Sequence, residues 1–141
     1  MAEAKKKIRI GDLLVQNDVI TEQQLMTALR EQKNTGRKLG RTLIDLGYVE
    51  EDNLLNILSR QLDVPFVQLR HFQFNNELVK KLPEAMARRF RSIVLAEQSG
   101  ELLVGMADPL DIFAYDELVR VLKQPIKQAV VRESELLNTL D

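Results

Sequence analysis

Cysteine is absent from this 141-residue chain and histidine occurs once, as His71 in the polar stretch RHFQF. Without cysteine there is no disulfide framework and no thiolate chemistry, which fits a cytoplasmic chain. A lone histidine supports no metal site of ordinary ligand count, so no metal is expected. No apolar stretch approaches the ~18 residues of a membrane span. The opening MAEAKKKIRIGD is basic but has no apolar run after it, so it does not read as a signal peptide. There is no charge excess either: the net charge is −1, whereas duplex-binding domains gain most of their affinity from a basic surplus. DNA or RNA polymers are therefore disfavoured partners. The local clusters Lys5-Lys6-Lys7-Ile8-Arg9 and Arg88-Arg89-Phe90-Arg91 suit either a smaller anion or a solvated face.

What the chain does have is a duplication. RIGDLLVQNDVITEQQLMTALREQ (Arg9 to Gln32) returns as KLGRTLIDLGYVEEDNLLNILSRQ (Lys38 to Gln61) at a constant offset of 29. Gly11/Gly40, Leu14/Leu43, Glu22/Glu51, Leu25/Leu54, Leu29/Leu58 and Gln32/Gln61 are identical, and Arg9/Lys38, Ile10/Leu39, Val15/Ile44 and Ile20/Val49 exchange like for like. Two copies are too few for a solenoid. They suggest two like half-sites for a ligand or partner with two like halves.

Each copy reads as helix, turn, helix. A short first helix opens near Gly11-Asp12, and Asn17-Asp18 breaks it. Thr21 is a predicted N-cap with Gln24 as its capping-box partner, and the second helix runs from about Glu22 to Gln32. In the second copy Gly47 suits a positive-φ helix end, and Glu50-Glu51-Asp52 places negative charge at a helix N-terminus. Lys33 to Arg37 is a polar connection. Val64 to Val67 reads as extended. Asn75 to Arg89 reads as a helix that Pro83 breaks or kinks. SIVLA (Ser92 to Ala96) and LLVGM (Leu102 to Met106) flank a glycine turn as a β-hairpin. Asp111 to Leu122 is a helix with Ile112, Tyr115, Leu118, Val119 and Leu122 facing inward; Ile126 to Val131 is a third strand; Glu133 to Leu140 is a final helix. The expected class is α+β, with a helical tandem-repeat subdomain at 1–63 and a small α/β subdomain with about three strands at 64–141.

Enzymatic chemistry finds little purchase. Paired carboxylates (Glu50-Glu51-Asp52, Asp108/Asp111) are explained as well by helix-terminal charge. GRKLGRT (Gly36 to Thr42) falls short of a phosphate-binding loop: three residues rather than four separate the glycines, and Arg41 stands where lysine belongs. No complete Walker motif occurs, so ATP hydrolysis would lie outside these residues. The opening triplets are more informative. Gly11 and Gly40 stand at helix starts, where free N–H groups and the dipole favour an anion and the missing Cβ permits close approach. Arg9 and Lys38 add charge two residues earlier. Tight packing would also select these glycines, and both readings stand. The pairs Leu25/Leu29 and Leu54/Leu58 serve either as core or as an apolar platform for a flat ring. Gln32 and Gln61 close each stripe with an amide able to hydrogen-bond a base, a phosphate or the nearby backbone.

Arranged this way, the two copies resemble R-L-G-x-x-L-(I/V)-x-x-G-x-(I/V)-x-x-x-x-L-x-x-A-L-x-x-Q, the tandem motif of the MshE-type N-terminal domain of pilus-assembly and type II secretion ATPases. MADPLDIF (Met106 to Phe113) resembles the small α/β part that follows it. The resemblance implies a regulatory fragment, not itself an enzyme, attached to an ATPase domain and binding cyclic di-GMP, each motif holding one half of the ligand. By residue it implies Arg9, Ile10 and Gly11, and Lys38, Leu39 and Gly40, on phosphate or guanine. Leu14, Leu25, Leu29, Leu43, Leu54 and Leu58 would supply the apolar contacts, and Gln32 and Gln61 the closing hydrogen bonds. Asp108, at a strand end, offers an acceptor for a guanine N1/N2 edge. Ile10 stands in place of leucine, Asp18 in place of the mid-motif glycine and Lys38 in place of arginine, which gives up the planar bidentate fork. The first copy is therefore expected to do more of the directional bonding and the second more of the apolar contact. The competing expectation is a protein-interaction adaptor whose amphipathic helices dock an inner-membrane platform protein.

Overall fold

The computed structural model describes residues 9–141; most of the first basic cluster, Lys5 to Ile8, and the opening of the chain lie outside the described residues. The described chain is α+β and forms two compact units, divided between Leu54 and Leu55.

The first unit holds α1 (Ile10–Gln16), α2 (Glu22–Thr35), α3 (Leu39–Asp45) and the start of α4 (Glu51–Leu62). Both short helices end in the same way. In α1 the Asp18 N–H donates to Val15 O (3.0 Å) and the Val19 N–H to Leu14 O (2.9 Å); in α3 the Gly47 N–H donates to Ile44 O (3.0 Å) and the Tyr48 N–H to Leu43 O (3.0 Å). This is a Schellman closure, which needs a left-handed residue at its corner. Asp18 takes that role at φ 59° and Gly47 at φ 80°. Thr21 caps α2 with the predicted box: its hydroxyl accepts from the Gln24 N–H (3.0 Å), and the Gln24 side-chain oxygen accepts from the Thr21 N–H (2.9 Å). With that start secured, α2 runs three residues past Gln32 and closes on left-handed Gly36. Leu13, Leu14, Ile20, Ala28, Leu43, Val49 and Leu54 are buried as the core of this unit.

The second unit is a three-stranded sheet between helices. β1 (Ser92–Gln98) and β2 (Glu101–Met106) are antiparallel around Ser99-Gly100, both at positive φ, the conformation a two-residue hairpin turn demands. β3 (Ile126–Val130) lies parallel to β2, and that connection requires a crossover, here α7 (Ile112–Leu122). The stretch at Pro65–Val67 is extended as predicted and bonds along β3: Val67 N–H to Val130 O (2.9 Å), Val130 N–H to Pro65 O (2.8 Å). Alternation along β1 sends Val94 to one face, with Leu102, Val104, Met106, Leu118 and Ile126, and Ile93 and Leu95 to the other, with Ala129, Val131 and Leu136 of α8 (Glu133–Leu140). Pro83 breaks its helix outright, leaving α5 (Asn76–Val79) and α6 (Glu84–Phe90). Arg88 of α6 ties down the end of α8; its hydrogen bonds to Asp141 and Glu84 raise its pKa above the ordinary guanidinium value. One inward assignment on α7 is corrected: Ile112 is 51% exposed and Ala114 is buried in its stead, because the buried stripe runs Ala114, Leu118 and Leu122 at intervals of four and Ile112 lies to one side of it.

Candidate nucleotide-binding motif pair

The two openings are built alike and against ordinary helix preference. Arg9 and Lys38 are the N-caps of α1 and α3, each extended and each without a side-chain capping hydrogen bond. Helix N-termini favour acidic residues and Ser, Thr, Asp or Asn caps. A cation placed there in both copies is a local conflict of the kind that functional sites retain, and it adds positive charge where the helix dipole is already positive. Arg9 and Lys38 are exposed, and the residues that follow them, Ile10 and Leu39, are half-buried.

The glycines then interlock the copies. A methyl group on Gly11 would lie 2.6 Å from Leu25 Cδ1 and 3.3 Å from Leu39 Cδ2. One on Gly40 would lie 3.4 Å from Leu54 Cδ2 and 3.4 Å from Ile10 Cδ1. Each glycine therefore receives the leucine of its own second helix and the apolar residue that precedes the other glycine. Exchanging the copies maps one set of contacts onto the other, a twofold-like relation within the first unit. Packing accounts for Gly11, because Leu25 fills the space its missing Cβ leaves. The cross-contacts of Ile10 and Leu39 are what sequence reasoning did not resolve: it assigned each opening to its own half. The signal for them was an apolar residue beside the glycine in both copies.

The remaining motif residues divide by burial. Leu14 and Leu43 are fully buried and form the floor of the unit. On α2, Leu25 and Gln32 are half-buried on the same side as buried Ala28, while Leu29 is exposed. On α4, Leu54 and Leu58 are buried and Gln61 is exposed at helical spacing along one side. Leu58, Gln61 and Asp108 belong to the 55–141 unit. Asp108 is half-buried in the turn after β2, and its carboxylate accepts from the Leu110 N–H at 3.2 Å. The second copy also carries an ion pair that the first lacks the residues for: Arg41 to Glu51 at 3.3 Å, where the first copy has Asp12 and Glu22.

This arrangement has close counterparts. The MshEN domain family matches residues 62–141, more than half of the chain. A solved structure of MshE with cdg (cyclic di-GMP) is 40% identical and superposes with a TM-score of 0.84, over 95% of this chain and 97% of that one. The N-terminal domain of XpsE shares the fold at a TM-score of 0.78 and 23% identity, over 94% of this chain and 91% of that one. The type IV pilus assembly ATPase PilB of Myxococcus xanthus is 32% identical over 94% of this chain, which spans only 24% of PilB. The family match begins at Leu62, just after the second motif ends, and the likeness to MshE extends over both motifs as well. The chain belongs to the MshEN domain family.

Proposed function

We propose that this chain binds cyclic di-GMP through its two motifs and acts as the cytoplasmic regulatory domain of a pilus-assembly or type II secretion ATPase. The observation that carries the reading is the likeness to MshE solved with cyclic di-GMP, at 40% identity over 95% of the chain. The twofold-like interlock around Gly11 and Gly40 supports it, because cyclic di-GMP is itself a twofold molecule with two guanines and two phosphates. In this reading the cations Arg9 and Lys38 meet guanine or phosphate. Ile10, Leu25 and Leu29, with Leu39, Leu54 and Leu58, press on the bases. Leu14 and Leu43 hold that surface from beneath. Gln32 and Gln61 hydrogen-bond at the far ends, and Asp108 accepts from a guanine edge. An arginine on the O6/N7 edge of guanine contributes about 1–3 kcal/mol of discrimination. Apolar contact adds about 25 cal/mol for each Å² removed from water.

Titration calorimetry with cyclic di-GMP, GTP and cyclic di-AMP tests this directly. The expected result is about one cyclic di-GMP per chain and little heat from the other two, with Arg9→Ala weakening binding by about tenfold or more, the loss of one such contact. Absence of heat with cyclic di-GMP would sink the proposal, and unchanged affinity in Arg9→Ala would remove Arg9 from the site.

A further inference from the structure

Helix α2 leaves open a stripe that its duplicate buries. Glu22, Met26, Leu29 and Lys33 follow one another at intervals of four, three and four residues, the spacing of a coiled-coil seam. All four are exposed, Met26 at 59% and Leu29 at 38%. The same places in α4 are Glu51, Leu55, Leu58 and Leu62. There Leu55 and Leu58 are each 3% exposed, and Glu51 pairs with Arg41. In the first copy Asp12 occupies the place of that arginine, so Glu22 cannot form the equivalent pair.

Along α2 the stripe is acidic at its start, apolar in its middle and basic at its end. Laid antiparallel against itself, it is self-complementary in one register: Met26 falls opposite Leu29 of a second copy, and Glu22 falls opposite Lys33. The charge pairs and the apolar pairs agree on that register, as an isologous contact requires. We infer that α2 is a homotypic contact site, through which two copies of this chain associate by antiparallel pairing of their α2 helices, with the twofold axis at the level of Thr27 and Ala28. Glu22, Met26 and Lys33 have no part in the proposed nucleotide site, while Leu29 is common to both, so a bound nucleotide and self-pairing compete for it and the association is measured on the nucleotide-free chain. A helix of 14 residues is about 21 Å long, and one stripe of it buries far less than the ~800 Å² per partner of a standard interface. The contact is accordingly weak in isolation and gains weight where copies are already held close together.

Charge exchange tests it. Sedimentation equilibrium of the 141-residue chain, carried to millimolar concentration, should reveal a weak dimer that added salt loosens. Glu22→Lys and Lys33→Glu should each weaken it about five- to tenfold, because the twofold axis makes both pairs repulsive at once. An equimolar mixture of the two variants should associate as well as the unaltered chain, since every mixed pair is again a lysine opposite a glutamate. A chain that stays monomeric, single variants that associate unchanged, or a mixture no better than its components would overturn the inference. Circular dichroism checks that each variant folds; if one does not, Met26→Glu takes its place and must abolish the dimer.

Discussion

In the first motif copy the short helix turns its corner on an aspartate, the long helix starts on a threonine box, and Met26 and Leu29 face outward. In the second the corner is a glycine, the long helix follows Glu50, an arginine–glutamate pair joins α3 to α4, and the counterparts Leu55 and Leu58 are buried. Yet the two Schellman hydrogen bonds at the corners match partner for partner. Duplication preserved the backbone solution and the leucine floor, while the capping chemistry and the outer faces diverged. What a repeat keeps is what its own fold needs; what it changes is set by what covers it.

The strongest way to break this comparison is at the floor. Leu14 and Leu43 are both fully buried, so Leu14→Ala and Leu43→Ala should each cost about 2–5 kcal/mol and should cost nearly the same. Urea denaturation measures both. If one costs several times the other, the two copies are not equivalent where they look most alike.

The glycines should separate the copies. At Gly40 a methyl group meets its neighbours at 3.4 Å, ordinary contact, and alanine gains up to about 1 kcal/mol of helix propensity. At Gly11 the nearest methyl stands at 2.6 Å, and relieving such overpacking costs about 1–3 kcal/mol, softened where Leu25 can rotate away. Thermal melts should therefore rank Gly40→Ala at or above the unaltered chain and Gly11→Ala below it. The reverse order would mean that the interlock is not the packing constraint described above.

How much of this was legible in the sequence depends on how local the cause is. The Thr21–Gln24 box, the Pro83 break, the glycine hairpin and the left-handed Gly47 each follow from a few adjacent residues, and all were readable. The end of α2 was not, because Lys33, Asn34 and Thr35 are acceptable to a helix that is already nucleated, and only Gly36 stops it. Ile112 misled because it lies at helical spacing from Tyr115 and Val119, which are themselves only half-buried, whereas the buried stripe runs Ala114, Leu118 and Leu122. At the candidate site, the basic-apolar-glycine openings were visible as a repeated pattern. Their reciprocity was not, because a contact between Ile10 and Gly40 is a tertiary fact with no one-copy signature. The exposure of Met26 against the burial of Leu55 is likewise set by surroundings that a helical period does not specify.

The smallest effect offers the cleanest comparison, since the helix corners differ by one side chain. Aspartate tolerates the left-handed region better than most residues but still bears a cost there that glycine does not. Glycine in turn loses more chain entropy on folding, which offsets part of that gain. Asp18→Gly should therefore stabilise the chain by about 0.5–1 kcal/mol, and Gly47→Asp should destabilise it by a similar amount. Nothing lies within 4 Å of a Cβ added at Gly47, so the second exchange changes backbone preference without a clash. The double variant should return close to the starting melting temperature, because each change acts only on its own corner. Calorimetric melts of the three variants decide the matter. If Asp18→Gly fails to stabilise while Gly47→Asp costs its full amount, the Asp18 carboxylate contributes something beyond holding the turn, and the first copy has specialised even at the corner where its backbone matches the second.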